Sequence, residues 1–320
     1  MSAGFARLAV LGLGLIGGSV LRSARHAGLE TVGYDVDPDT AEQASGDGFA
    51  VAPSAAAAVR GADLVVLAMP LPEVRNAAAG LRGRLGPRTV VTDVGTLKAP
   101  VVDAVRGELP GASFVGGHPL AGVEDTGWAA ARPTMFRDAS WALVLEPDTD
   151  LDDWLRLASF VCDLGARPVP TTAAEQDAAV ARVIGLPHVL AEALALTGLA
   201  GGPLGLTLAA GSYLSGSRVA RTRPELVATW CDGNEALPAA LDDAIRHLTE
   251  ARDALRGDGS VLPLAEAGHA ARTDWEHRHV EPVELGADAA TLLEHGRHGG
   301  WVTAVLRDDD EVRLLGMRPH

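Results

Sequence analysis

Short apolar runs alternate with longer stretches of helical period over the first half of the chain. Arg7 to Gly12 (RLAVLG) reads as a buried strand, and Ile16 to Ala27 reads as a helix ending at Gly28. Thr31 to Tyr34 is a second strand and Ala41 to Gly46 a short helix. Leu64 to Met69 (LVVLAM) is a third strand, stopped by Pro70 and Pro72; Thr89 to Asp93, Ser113 to Gly117 and Trp141 to Leu145 are further strands. Strands with no polar alternation are buried on both faces, which calls for a parallel sheet between two helical layers. With right-handed crossovers this is an α/β, doubly wound, Rossmann-type domain, assigned to residues 1–172.

From Ala173 the period changes to helical for about a hundred residues. Ala173 to Leu199, Leu204 to Ala210, Pro224 to Thr229 and Asn234 to Leu255 are the predicted helices of an all-helical domain, residues 173–279. Its Ala- and Leu-rich faces exceed what a small monomeric bundle buries, so a homodimer is expected through this domain. Residues 280–320 read as a small α+β extension: a strand, a helix (Ala287 to His298), then two strands (Trp301 to Arg307 and Glu311 to Met317) around Asp308-Asp309-Asp310.

Composition narrows the function. The chain is 47% hydrophobic and 22% charged, the profile of a soluble globular protein. Its net charge is −15 with no cationic cluster, which argues against a nucleic-acid partner. Ala193 to Leu214 carries no charge over 22 residues, but Gly201-Gly202-Pro203 interrupts it and basic flanks are missing, so no membrane span is expected. Cys162 and Cys231 have neither disulfide nor metal spacing; a reducing cytoplasm and no metal are expected. Met1 to Phe5 is too short and polar for a secretory leader.

Gly12-Leu13-Gly14-Leu15-Ile16-Gly17 is a G-x-G-x-x-G between strand and helix, the context in which this string binds a dinucleotide. Gly12 allows the turn, Gly14 the approach of a pyrophosphate, and Gly17 close helix–strand packing. Asp35, 23 positions after Gly12, can accept from ribose hydroxyls and repel a 2′-phosphate, so NAD is favoured over NADP. Asp37 competes for that role, and a plain turn residue is the alternative for Asp35. Two later strand ends carry polar groups toward the carboxyl edge of the sheet: Thr92 to Lys98 (TDVGTLK) and Gly116 to Gly122 (GGHPLAG). A histidine held between glycines and a proline there, His118, is a candidate for acid–base work.

These motifs, with LPH at Leu186 to His188, SRVA at Ser217 to Ala220, PEL at Pro224 to Leu226, Asn234 and AGHAART at Ala267 to Thr273, resemble the prephenate/arogenate dehydrogenase family, actinobacterial members most closely. The resemblance spans about residues 5 to 278. It implies NAD-dependent oxidative decarboxylation of prephenate or arogenate in tyrosine biosynthesis. It further implies that neutral His118 bonds the ring hydroxyl and accepts its proton, and that the Thr96 hydroxyl supports the same oxygen. His188 and Arg218 would bind substrate, Arg218 through a carboxylate, with Gln176 and Lys98 as further substrate contacts.

The chain departs from the family pattern at Gln176-Asp177 (usually HD), at Ile184-Gly185 before LPH, at Tyr213 to Ser217, and at Val123 after HPLAG. These changes leave open a substrate such as 4-amino-4-deoxyprephenate. A different NAD(P)-dependent dehydrogenase or imine reductase of the same plan is a further alternative, and a degenerate NAD-binding sensor is the non-enzyme one.

Overall fold

The computed structural model describes residues 4–122, 125–308 and 311–320, so the readings at Met1 to Ala3, Val123 and Asp309-Asp310 lie outside the described residues. The chain divides into two compact units: residues 4–176 with 280–319, and residues 177–279 with His320.

In chain order the first unit contains β1 (Arg7–Leu11), α1 (Leu15–His26), β2 (Glu30–Tyr34), α2 (Pro38–Gly46), β3 (Ala50–Val51), α3 (Ala55–Ala58), β4 (Leu64–Leu67), α4 (Leu71–Gly80), β5 (Val90–Asp93), α5 (Ala99–Glu108) and β6 (Ser113–Val115). The sheet is parallel with order β3-β2-β1-β4-β5-β6. Successive side chains of one strand serve opposite faces. Leu8 and Val10 pack with α1, while Ala9 and Leu11 pack with α3, α4 and α5, and all four strand residues are buried. That two-sided burial is why the strands read as uninterrupted apolar runs. The order reverses between β1 and β4, which places a crevice at the carboxyl ends of these two strands.

The expected strand Ser113 to Gly117 is two strands. After β6 the chain leaves the parallel sheet at Gly116 and forms β7 (Gly117–Pro119), antiparallel to β8 (Ser140–Val144). β8 in turn runs parallel to β9 (Arg167–Thr171), after α6 (Leu151–Asp163). His118 therefore sits within a short strand opposite Ala142, not in a loop after one. The Asp93 carboxylate causes the detour, accepting from the Gly117 N–H at 3.0 Å and tying β7 to the end of β5.

The division between units falls inside α7 (Ala173–Val180), between Gln176 and Asp177. The second unit continues through one π-helical turn at Ala181–Gly185 into α8 (Leu186–Ala200), then α9 (Gly202–Thr207), α10 (Gly211–Gly216), α11 (Pro224–Cys231), α12 (Leu237–Arg256) and α13 (Leu262–His277). A short 3-10 turn, Arg218–Arg221, precedes α11. α13 had no counterpart among the expected helices.

The C-terminal segment folds as β10 (Val280–Leu285), α14 (Ala289–Arg297), β11 (Trp301–Arg307) and β12 (Val312–Pro319), an antiparallel sheet of order β10-β12-β11 with one helix. It groups with the first unit rather than standing apart. Leu292, Val302 and Leu314 are fully buried in the core that also holds Trp154 and Phe160 of α6. At Gly296 the helix backbone meets β9 so closely that a Cβ would lie 1.8 Å from the Pro170 carbonyl oxygen.

Candidate active site

The glycine turn lies at the switch point. Gly12 has φ +97°, and a side chain there would meet the Ala68 carbonyl oxygen after β4 at 2.2 Å. Gly17 brings α1 against that turn, since its Cβ would lie 2.0 Å from the Gly12 oxygen. Gly14, the N-cap of α1, instead faces open space. The first-turn N–H groups of a 12-residue helix have no partner within the helix, so this edge is suited to a phosphate. Leu13 contributes through its backbone, its side chain being buried against Gly33.

Asp35 follows β2 directly. Its Oδ2 accepts from Leu13 N–H at 2.6 Å and its Oδ1 from Asp37 N–H at 2.9 Å, so the carboxylate is held against the turn with a lone pair left on each oxygen. The competing candidate Asp37 is occupied as N-cap of α2, accepting from the N–H groups of Asp39 and Thr40 and from the Thr40 hydroxyl.

A buried ion pair organises the next two motifs. Lys98 is fully buried and its ammonium bonds the Asp93 carboxylate. The same Nζ donates to the Gly117 carbonyl at 2.6 Å, while Asp93 also accepts from Gly95 N–H at 2.8 Å and Gly117 N–H at 3.0 Å. Lys98, expected among the substrate contacts, has no exposed surface and ties the two turns together through this set of partners. Asp93 escaped the sequence reading, although an acid closing an otherwise apolar buried strand signals that it must have a partner.

His118 is 5% exposed. Burial, reinforced by the Lys98 charge, pushes its pKa down to about 3, so the ring is neutral at physiological pH. Its Nδ1 lies 2.8 Å from the amide nitrogen of Gln176, which also donates to the Thr96 carbonyl at 2.9 Å. Gln176, expected as a substrate contact, is only 4% exposed and is a direct partner of His118. Thr96 itself is half-buried, its carbonyl engaged by Gln176.

Within the second unit, His188 is buried on α8 and packs at a tilt on Trp230, ring centroids 5.1 Å apart and planes at 58°, with the backbone of Val219, the residue after Arg218, beside its ring. Burial holds its pKa below the ordinary value. Arg218 is exposed on the 3-10 turn. Gly185 is used for packing, since a Cβ there would meet Leu237 at 3.0 Å. Tyr213 packs on Gly198 and accepts the Ser217 hydroxyl bond at its carbonyl, so Tyr213 to Ser217 form a closed helical turn.

Two family models match the chain: "Prephenate dehydrogenase, nucleotide-binding domain" over residues 19–169 and "Prephenate dehydrogenase, dimerization domain" over residues 172–263. The chain is 31% identical over 276 residues to the cyclohexadienyl dehydrogenase of Zymomonas mobilis, covering 81% of this chain and 92% of that protein. It is similar to the crystal structure of a Corynebacterium glutamicum protein provisionally named a prephenate dehydrogenase, with TM-score 0.80 and 36% identity over 85% of this chain and 89% of that one. The crystal structure of Synechocystis arogenate dehydrogenase follows at TM-score 0.75 and 25% identity, covering 84% and 99% of the two chains.

Proposed function

The chain belongs to the prephenate dehydrogenase family, and on that premise we propose that it oxidatively decarboxylates prephenate or arogenate with NAD, in tyrosine biosynthesis in the cytoplasm. The observation that carries the reading is His118: a buried, neutral imidazole in the GGHP strand, joined to the Thr96 carbonyl through the Gln176 amide. The family models and relatives do not favour the amino-substituted substrate.

NAD fits the residues present. Gly12 to Gly17 form the turn at the switch point, Gly14 leaves room for a pyrophosphate, and Asp35 retains acceptor capacity for ribose hydroxyls. When bound, NAD supplies the acceptor for the hydride that leaves the hydroxyl-bearing ring carbon. Loss of the ring carboxylate as carbon dioxide returns an electron pair to the ring and completes its aromaticity; the hydroxyl hydrogen stays with the product. The protein therefore needs to engage that hydroxyl as the carbon–hydrogen bond breaks, rather than carry a proton away. His118 is the residue for this, with the Thr96 hydroxyl in support. Arg218, whose planar fork suits a carboxylate, binds the substrate's acidic group, and His188 faces the substrate beside it.

The second unit is read as the dimer-forming one. The helical run 173–200 is long and apolar enough by length and composition to cross a bilayer, with only 17% of its most apolar window buried. Leu194, Leu196, Leu199 and Leu204 are exposed, and a dimerization-domain match covers them, so a second copy of the chain is the partner that buries these leucines.

The deciding experiment follows reduced-cofactor absorbance and carbon dioxide release together, with NAD or NADP against prephenate and arogenate. Equal amounts of reduced NAD and carbon dioxide from one of the two substrates are expected. Cofactor reduction without carbon dioxide, or none with either substrate, overturns the reading.

A further inference from the structure

The amide of Gln176 is wedged between two groups of the first unit that constrain it completely. Its Nε2 lies 2.9 Å from the Thr96 carbonyl oxygen and 2.8 Å from His118 Nδ1. A carbonyl oxygen only accepts, so the end of the amide facing Thr96 is the nitrogen. An amide nitrogen only donates, so Nδ1 must offer its lone pair. A neutral imidazole with a bare Nδ1 carries its proton on Nε2. The charged ring would set N–H against N–H, so the same contact opposes protonation. The other end of the amide, Oε1, is buried with no hydrogen-bond partner among the described residues.

We propose that Gln176 is a positioning residue that decides which nitrogen of His118 carries the proton, and so whether the ring meets substrate with an N–H or with a lone pair. The proposal rests on reading His118 as the ring that engages the substrate hydroxyl. In the arrangement observed, Nε2 is a donor. Turning the amide over would set Oε1 against the Thr96 carbonyl oxygen as well as Nδ1, so the Thr96 carbonyl locks the donor end of the amide toward the ring. The ring stays neutral and meets the substrate hydroxyl with its Nε2–H.

The charged groups around His118 are Lys98, bonded to the carbonyl of the preceding residue, and Asp93, which accepts from that residue's N–H and pairs with Lys98. The residue paired with His118 on β8 is Ala142, and the α7 contact is Gln176 itself; neither titrates.

The test is nitrogen NMR of the full chain labelled with 15N-histidine, with the His118 signals assigned by their loss in His118→Asn. The free wild-type enzyme is expected to show a protonated Nε2 and a bare Nδ1. Gln176→Glu, whose carboxylate only accepts, moves the proton to Nδ1 and raises the acid limb of the kcat/KM profile by on the order of one pH unit or more. Gln176→Leu, with nothing at Nδ1, gives a mixture of the two ring forms. A wild-type ring protonated on Nδ1 overturns the proposal, as does a Gln176→Glu enzyme with the wild-type ring form and acid limb. Should Gln176→Glu not fold, Gln176→Leu decides: a ring form unchanged from wild type overturns the proposal and a mixture supports it. The spectra require no turnover, so they judge Gln176 even if neither proposed substrate reacts.

Discussion

The Lys98 ammonium donates to the carbonyl of Gly117 at 2.6 Å, placing a buried positive charge one peptide away from the ring of His118. This contact couples the stability of the site to its chemistry. In Lys98→Met the Asp93 carboxylate is left buried without its cation, which costs about 3–5 kcal/mol by the measure of other broken buried pairs. Urea unfolding reads that loss. The pKa of His118 rises at the same time but stays below 6.5, because burial, the larger cause of its depression, remains. The double variant Asp93→Asn/Lys98→Met should recover part of the stability without restoring the wild-type acid limb.

His118 also makes stability depend on pH. Its folded pKa of about 3 lies below the ordinary value of 6.5, so between these values the unfolded chain binds a proton that the folded chain does not. Stability therefore rises with pH across this window and falls on acidification, on the order of 1 kcal/mol per pH unit at most. His188 and His295, both pushed down by burial, act in the same direction. In His118→Asn, urea midpoints taken between about pH 4 and 7 should vary less steeply than in wild type, by one proton's worth. The same variant should lose at least ~10²-fold in kcat while NAD affinity changes little.

Two glycines of the cofactor turn should separate folding from binding. Gly17→Ala drives a Cβ to 2.0 Å from the Gly12 carbonyl oxygen, a backbone atom that cannot swing away. A loss of about 3 kcal/mol, at the upper end of overpacking, is expected in thermal or urea melts. Gly14→Ala meets nothing within 4 Å, so its stability should fall only by the roughly 1 kcal/mol or less that an alanine costs at an N-cap. Its NAD affinity, measured by titration, should fall, because the methyl group enters the space a pyrophosphate needs.

Gly296→Ala reverses the usual helix rule. An alanine for glycine inside a helix ordinarily stabilises by up to about 1 kcal/mol. Here the added Cβ would lie 1.8 Å from the Pro170 carbonyl oxygen, so α14 must separate from β9. A lower Tm is the expected result. The same helix carries Arg297, which donates to Glu175, the residue before Gln176, so the C-terminal segment also braces the start of α7.

What the amino-acid sequence determined by itself was local and periodic. Uninterrupted apolar runs marked β1, β4 and β5 as two-sided strands. The glycine spacing marked the cofactor turn, because steric demands on a turn are written into the residues that make it. The TDVGTLK and GGHPLAG strings marked the strand ends that meet at Asp93, Lys98 and Gly117, and the 3.6-residue period marked the helical second unit. Tertiary structure alone decided the rest. Gln176 reaches His118 across 58 residues of sequence, and no local pattern tells which distant ring an amide will meet. Lys98 looked available until burial paired it with Asp93. The apparent single strand 113–117 broke because the Asp93 carboxylate captured the Gly117 N–H. The C-terminal segment joined the first unit because Leu292, Val302 and Leu314 found their burial against α6, a partner that only the folded chain brings within reach.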